Sequence, residues 1–160
     1  MLKRLLRVEA VPLNTDLARL CLRVVFFGTL FIKHGIEKLF TFGALHKAFL
    51  AHHLDPLHIG VLPSLMFATL ADGICTLLLV FGLFTRLASV IVFINVFVVW
   101  GFVEHFPYVG PGSAHGETLV LYLGGALALF LGGAGKYSID GLMDQKAHAG
   151  KPGRKMAARV

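Results

Sequence analysis

Apolar residues along the chain gather into four runs, at about Leu17–Phe40, Val61–Phe84, Leu87–Phe106 and Glu117–Gly135. Each approaches the ~20 residues a helix needs to cross roughly 30 Å of hydrocarbon. The runs are too long for barrel strands and lack the alternating pattern of a barrel. Lipid satisfies no backbone polar group, so helices are the remaining solution. The pattern therefore predicts an all-α membrane protein, a four-transmembrane-helix bundle. Two longer loops and a two-residue hinge at Thr85–Arg86 join the spans. Residues 1–16 read as a basic N-terminal segment, 17–140 as the membrane domain and 141–160 as a basic, flexible tail.

Composition supports the bilayer over a soluble core. Hydrophobic residues make up 56% of the 160 residues and charged ones 15%, against about 25% charged in a soluble domain. So few polar side chains cannot cover a water-facing surface. The basic start, Met1-Leu-Lys-Arg-Leu-Leu-Arg7, invites a signal-peptide reading. The run after it is long, contains Arg19 and Arg23, and ends in His34-Gly-Ile-Glu-Lys38 without a small-residue cleavage site. The segment reads instead as an anchor that holds the N-terminus in the cytoplasm.

Lys and Arg placement then predicts orientation. Lys3, Arg4 and Arg7 precede the first span, and Arg86 lies in the hinge. Lys136, Lys146, Lys151, Arg154, Lys155 and Arg159 follow the fourth. The loop between spans one and two carries only Lys47, and the loop between three and four carries none. Both termini are therefore expected in the cytoplasm, as a multi-pass protein of a bacterial cytoplasmic (inner) membrane. The net charge of +6 reads as attraction to lipid headgroups rather than to nucleic acid, since the cations flank helix ends. Cys21 and Cys75 form no Cys-x-x-Cys pair and fall at different depths of their spans. A disulfide needs Cα atoms within about 7 Å, so thiol redox chemistry is not expected.

Charges inside the spans carry the functional signal. Each costs about 2.5–3.5 kcal/mol on insertion scales and persists where it pairs or lines a cavity. At 3.6 residues per turn, Arg23, His34, Glu37 and Lys38 share one face of the first span, with Lys33 at its edge. Arg19 and Lys38 could alternatively snorkel to the two interfaces. Asp72 lies near the middle of the second span with no charge beside it, so it must be protonated or paired across helices. By depth, Arg23 lies roughly 8 Å to one side of it and Lys33 roughly 7 Å to the other; either can reach, and Asn95 can hydrogen-bond it. An interhelical clamp without chemistry is the other reading of Asp72. Glu117 shares a face with Gly124, Ala128 and Gly132, a ladder of small residues that predicts close packing with Glu117 pointing into the bundle; a helix N-terminal carboxylate favoured by the dipole is the other reading.

His34, His46, His52, His53, His58, His105 and His115 all fall in the outer half or its loops, and His148 alone in the tail. No recognised metal-ligand spacing is present. Exposed loop histidines are usually solvated; of the functional readings, a protonation-sensitive outer face stands ahead of a bound metal or haem.

These residues resemble the DoxX family. Arg23 with Lys33-His-Gly-Ile-Glu-Lys-Leu-Phe40 is similar to its first-helix signature, and Ala71-Asp-Gly-Ile with Phe81-Gly-Leu-Phe-Thr-Arg86 to its second. Gly116-Glu117, Tyr122 and Gly133-Ala-Gly-Lys-Tyr-Ser-Ile-Asp140 are similar to its last helix and exit. The resemblance spans roughly 17–140. It implies a small four-helix bacterial or archaeal membrane protein. Arg23, His34, Gly35 and Lys38 fall on the first-helix motif, and His105 and Glu117 match polar positions around helices three and four. The family usually carries Glu where this chain has Asp72. Members are associated with thiosulfate:quinone oxidoreduction, terminal quinol oxidase complexes, quinone detoxification and oxidative-stress complexes.

The function this predicts is a subunit of a quinone-linked membrane redox or oxidative-stress system. Asp72, His34 and Glu117 would exchange protons. Arg23, Glu37, Lys38, Asn95 and His105 would bind the ligand. No metal site and no cofactor of the chain's own is expected beyond a bound quinone. With no Gly-x-Gly-x-x-Gly fingerprint, electrons would come through a redox partner subunit. A small-solute or proton-coupled carrier, working as a homo-oligomer, is the alternative, because an intramembrane Asp between cations also suits a proton relay. A non-catalytic anchor or assembly factor that docks a soluble partner on the basic tail is the third reading.

Overall fold

The computed structural model describes residues 14–51, 55–56, 58–106 and 113–149. Among these residues the chain is helical and contains no strand. Helix α1 covers 15–40, α2 Phe42–Ala51, α3 Val61–Phe81, α4 Thr85–Val103, α5 Ser113–Gly132 and α6 Ile139–Ala149. Helices α3, α4 and α5 are long and apolar enough to cross a membrane. Helix α1 packs beside them as the fourth member of the bundle, its hydropathy lowered by its own charges. The chain is a multi-pass membrane protein.

Local chemistry sets the ends of these helices. The Asn14 side chain accepts from the Leu17 amide at 3.1 Å and caps α1, with Asp16 in the first turn. Gly82 ends α3 at φ 70°, and Phe84 follows at φ 48°. The hinge is therefore 82–84, and Thr85 already belongs to α4 rather than to the expected hinge. Helix α5 begins four residues earlier than the apolar run suggests and ends at Gly133, φ 71°. Before α3, Asp55 accepts from Ser64 Oγ (2.7 Å), the Gly60 amide (2.7 Å) and the Ile59 amide (3.2 Å). The Ser64 hydroxyl first, then these amides and nearby His58, hold its carboxyl below the usual carboxylate range.

The first span departs most from the expected straight helix. Helix α1 contains two wide π turns, Arg23–Phe27 and Phe31–Gly35, and breaks at Thr41. Helix α2 then packs along the first half of α3. Further π turns lie at Leu70–Cys75 in α3 and Val99–Val103 in α4. In lipid, a widened turn must satisfy its displaced carbonyls locally. Hydroxyls assist: Thr29 donates to the Val25 carbonyl and Thr76 to that of Asp72.

The core runs through Phe27, Leu30, Leu79, Val92, Val96, Leu123, Ala126 and Leu129. Helices α4 and α5 form the most extensive pair. Helix α5 meets the bundle through Tyr122, Gly125, Ala126 and Leu129. This corrects the expected packing face: Glu117, Gly124, Ala128 and Gly132 lie on the exposed side of α5. An added Cβ at Gly124 would meet nothing within 4 Å.

The segment after α5 folds back on the α3–α4 hinge. The Asp140 carboxylate accepts from the Phe84 amide, the Thr85 amide and the Thr85 hydroxyl, each at 2.9 Å. Arg23, wholly buried, donates to the Tyr137 carbonyl. A helix covers Ile139–Ala149 from this anchor onward, so that residues 141–149 of the expected flexible tail are helical; the tail residues 150–160 and the N-terminal 1–13 fall outside the described residues. The bundle thus has a tail end, at Arg23 and the hinge, and a loop end, at α2 and the α4–α5 connection.

Candidate functional site: an ion pair at the wall of an intramembrane cavity

Three helices converge on Asp72, which is 4% exposed. It sits in the π turn of α3, eleven residues into a 21-residue span. One carboxylate oxygen pairs with the Lys38 ammonium from α1. The other accepts from Asn95 Nδ2 of α4 at 2.8 Å. Both oxygens are therefore occupied. Close backbone approach makes this possible: a Cβ on Gly35 would overlap the Asp72 carbonyl, and Gly73 gives room to Leu39.

The pair forms part of the wall of a cavity of about 630 Å3 towards the loop end. Thr29, Leu30, Lys33, His34 and Lys38 line it from α1, and Val96, Val99 and Glu104 join Asn95 from α4. His115, Thr118, Leu119 and Tyr122 close it from α5. Lys33, His34, Lys38 and His115 thus face Asp72 and Glu104 across one space, with apolar Leu30, Val96, Val99 and Leu119 between them. Hydrogen-bond donors, proton acceptors and an apolar wall can together bind and protonate a small polar ring. Among the described residues, no group of three or more His, Cys, Asp or Glu side chains is placed to hold a metal.

The sequence-derived candidates divide accordingly. Asp72, His34, Lys38 and Asn95 are brought together; Arg23, Glu37, His105 and Glu117 are not. The partner of Asp72 is Lys38, in place of the expected Arg23 or Lys33, and Lys38 turns inward rather than snorkelling. Arg23 lies at the tail end, against Gly82 and the 133–140 segment. Glu37 is exposed, because the π turns shift the helical phase that a wheel of 3.6 residues per turn assumes. At the end of α4, His105 and Phe106 take φ 55° and 56°. The chain reverses there, the Phe106 amide bonding the Trp100 carbonyl at 2.9 Å, and this leaves His105 exposed while Glu104 reaches the cavity. Across the gap, His115 lines the cavity and Glu117, two residues on, faces the other way. Glu104 is visible in the sequence only as the neighbour of His105, and His115 only as one of the outer-half histidines.

A larger groove of about 1150 Å3 lies at the tail end, beside α6. Its carboxylates Asp16 and Asp140 are engaged by Arg19, Lys136 and the start of α4. It is the cleft in which the exit segment docks.

The sequence profile of the DoxX family matches residues 18–105. The chain belongs to the DoxX family. The matched stretch carries His34, Lys38, Asp72, Asn95 and Glu104 of this DoxX protein, and stops before α5. The α5 wall of the cavity, with His115, Thr118 and Tyr122, and the 133–140 latch lie beyond it. No curated protein and no solved structure matches the chain.

Proposed function

We propose that this DoxX protein is a quinone-binding subunit of a membrane redox system in a bacterial cytoplasmic membrane. The observation that carries the reading is the Lys38–Asp72–Asn95 cluster at the wall of a 630 Å3 intramembrane cavity. That volume lies within the range typical of small-molecule sites, about 300–1,000 Å3. Lys38 and His34 donate to the carbonyl oxygens of a quinone head, while Leu30, Val96 and Leu119 cover its ring. Reduction to quinol takes two electrons and two protons. In this reading Asp72, His34 and Glu104 hand on the protons. The electrons come from a partner subunit that carries a redox centre.

In this reading the cavity faces the outer side of the membrane and the tail end faces the cytoplasm. Arg19, Arg86, Lys136 and Lys146 gather at the tail end, as the bias of Lys and Arg towards the cytoplasm requires. The test is quinone retention. Wild-type protein purified in mild detergent is expected to yield stoichiometric quinone on solvent extraction, and Asp72→Asn with His34→Ala to lose it. Protein free of quinone, with the quinone-linked activity of its complex unchanged in the double variant, defeats the proposal.

A further inference from the structure

Helices α1 and α5 meet in the tail-end half of the bundle. There Gly125 lies against Phe26 and Phe27. Phe26 of α1 and Tyr122 of α5 form an edge-on pair, with centroids 6.4 Å apart. Towards the loop end the cavity is lined from both helices, and Thr29 and Lys33 of α1 with Thr118 and Leu119 of α5 mark its α1–α5 slot. Thr29, Lys33 and Thr118 are exposed.

The height of this gap decides what can use it. Tyr122 is near the middle of α5, nine residues from its first residue, Ser113. Asp72 is likewise near the middle of α3. The slot therefore lies between mid-membrane and the loop end. The outward flanks beside it are apolar: Ile32 is 66% exposed and Leu121 60%.

We propose that the α1–α5 slot is a lateral portal for a membrane-dissolved quinone. The polar head slides in from the bilayer to Lys38, Asp72 and Asn95, and the isoprenoid tail stays between α1 and α5 in the lipid. The inference rests on the quinone reading of the cavity and adds its route of access and the need for a lipophilic tail. An apolar tail cannot be taken out of lipid cheaply, at about 0.8 kcal/mol per CH₂. A route from the membrane leaves it there.

The experiment uses full-length protein in lipid nanodiscs and follows quenching of Trp100, the single tryptophan, by two quinones. One carries a long isoprenoid tail and the other a short, water-soluble side chain. Thr29→Phe and Thr118→Phe fill the slot from opposite lips, and Ile94→Phe, on the exposed face of α4, serves as control. The expected result is association of the long-tailed quinone slowed about tenfold or more in both lip variants. The short-chain quinone and the control are unchanged, and the unchanged binding shows that the lip variants are folded. Wild-type protein that binds both quinones, with lip variants that slow both equally or neither, overturns the portal alone. Wild-type protein that binds neither overturns the quinone reading and the portal with it.

Discussion

Lys38 of α1 and Asp72 of α3 form an ion pair near mid-membrane, 34 positions apart in sequence, with Asn95 of α4 holding the second carboxylate oxygen. The pair joins α1 and α3 where their backbones approach through Gly35. It is both a clamp and the polar wall of the cavity, and the two roles can be separated.

Removing one charge strands the other in a medium that does not solvate it. Lys38→Met or Asp72→Asn alone is expected to destabilise the folded bundle by about 3–5 kcal/mol. Lys38→Met with Asp72→Asn should recover most of that loss, since no unpaired charge remains. Denaturant unfolding in a fixed detergent checks this; a double variant as unstable as the summed singles would show that the charges do not act as a pair. The recovered double variant should still fail to retain quinone.

Gly35 and Gly124 make a matched contrast. Both are helical glycines, but a Cβ at Gly35 runs into the Asp72 carbonyl, whereas one at Gly124 meets open space. Gly35→Ala should push α1 from α3 and cost about 1–3 kcal/mol. Gly124→Ala should be neutral or slightly stabilising, by at most about 1 kcal/mol. Thermal unfolding of the two variants side by side decides it, and equal melting temperatures would refute the close approach.

At the tail end, Asp140 caps α4 from a distance of more than fifty residues in sequence. Asp140→Ala removes three acceptor contacts and is expected to cost about 1–2 kcal/mol. Asp140→Asn keeps an acceptor oxygen and should lose less. Limited proteolysis provides a second reading, because cleavage within 133–149 should rise in the alanine variant before the rest of the bundle is attacked.

Asp55 gives a pH dependence with a definite sign. Its hydrogen bonds hold its folded-state carboxyl below the ordinary 3.8. The stabilisation is therefore fully present above pH 3.8 and is lost as pH falls through the lower, folded-state value. Amide exchange at Ile59 and Gly60, corrected for intrinsic rates, should accelerate only in that acidic window. Asp55→Asn should weaken the dependence, and an acceleration that persists unchanged in the variant would assign it elsewhere.

Much of the bundle was legible because hydrophobic run length is a local property. The helix class, the positions of α3, α4 and α5 and the burial of Asp72 all follow from side chains that lipid will or will not accept. Ends were less legible, because turns such as Gly82–Phe84 depend on what docks there. Residues 141–149 read as free tail because nothing local shows the anchor before them: Asp140 finds its partners at the start of α4 and the hinge before it.

Direction around each helix was the harder question. The sequence determined that a carboxylate, several cations and an Asn must share the interior of an apolar bundle, since none can face lipid unpaired. It could not determine which of them meet. A wheel built on 3.6 residues per turn placed Glu37 with His34, but π turns in α1 reset the phase; on the regular helix α5 the wheel grouped Glu117 with Gly124, Ala128 and Gly132, and packing turned the opposite face inward. The left-handed pair His105 and Phe106 then chose Glu104 over its neighbour. Tertiary packing alone selected Lys38 as the partner of Asp72 and brought residues of α1, α4 and α5 around one cavity. The reason is physical: burial of a charge is decided by composition, but its partner is decided by helix phase and backbone approach, which only neighbouring helices set.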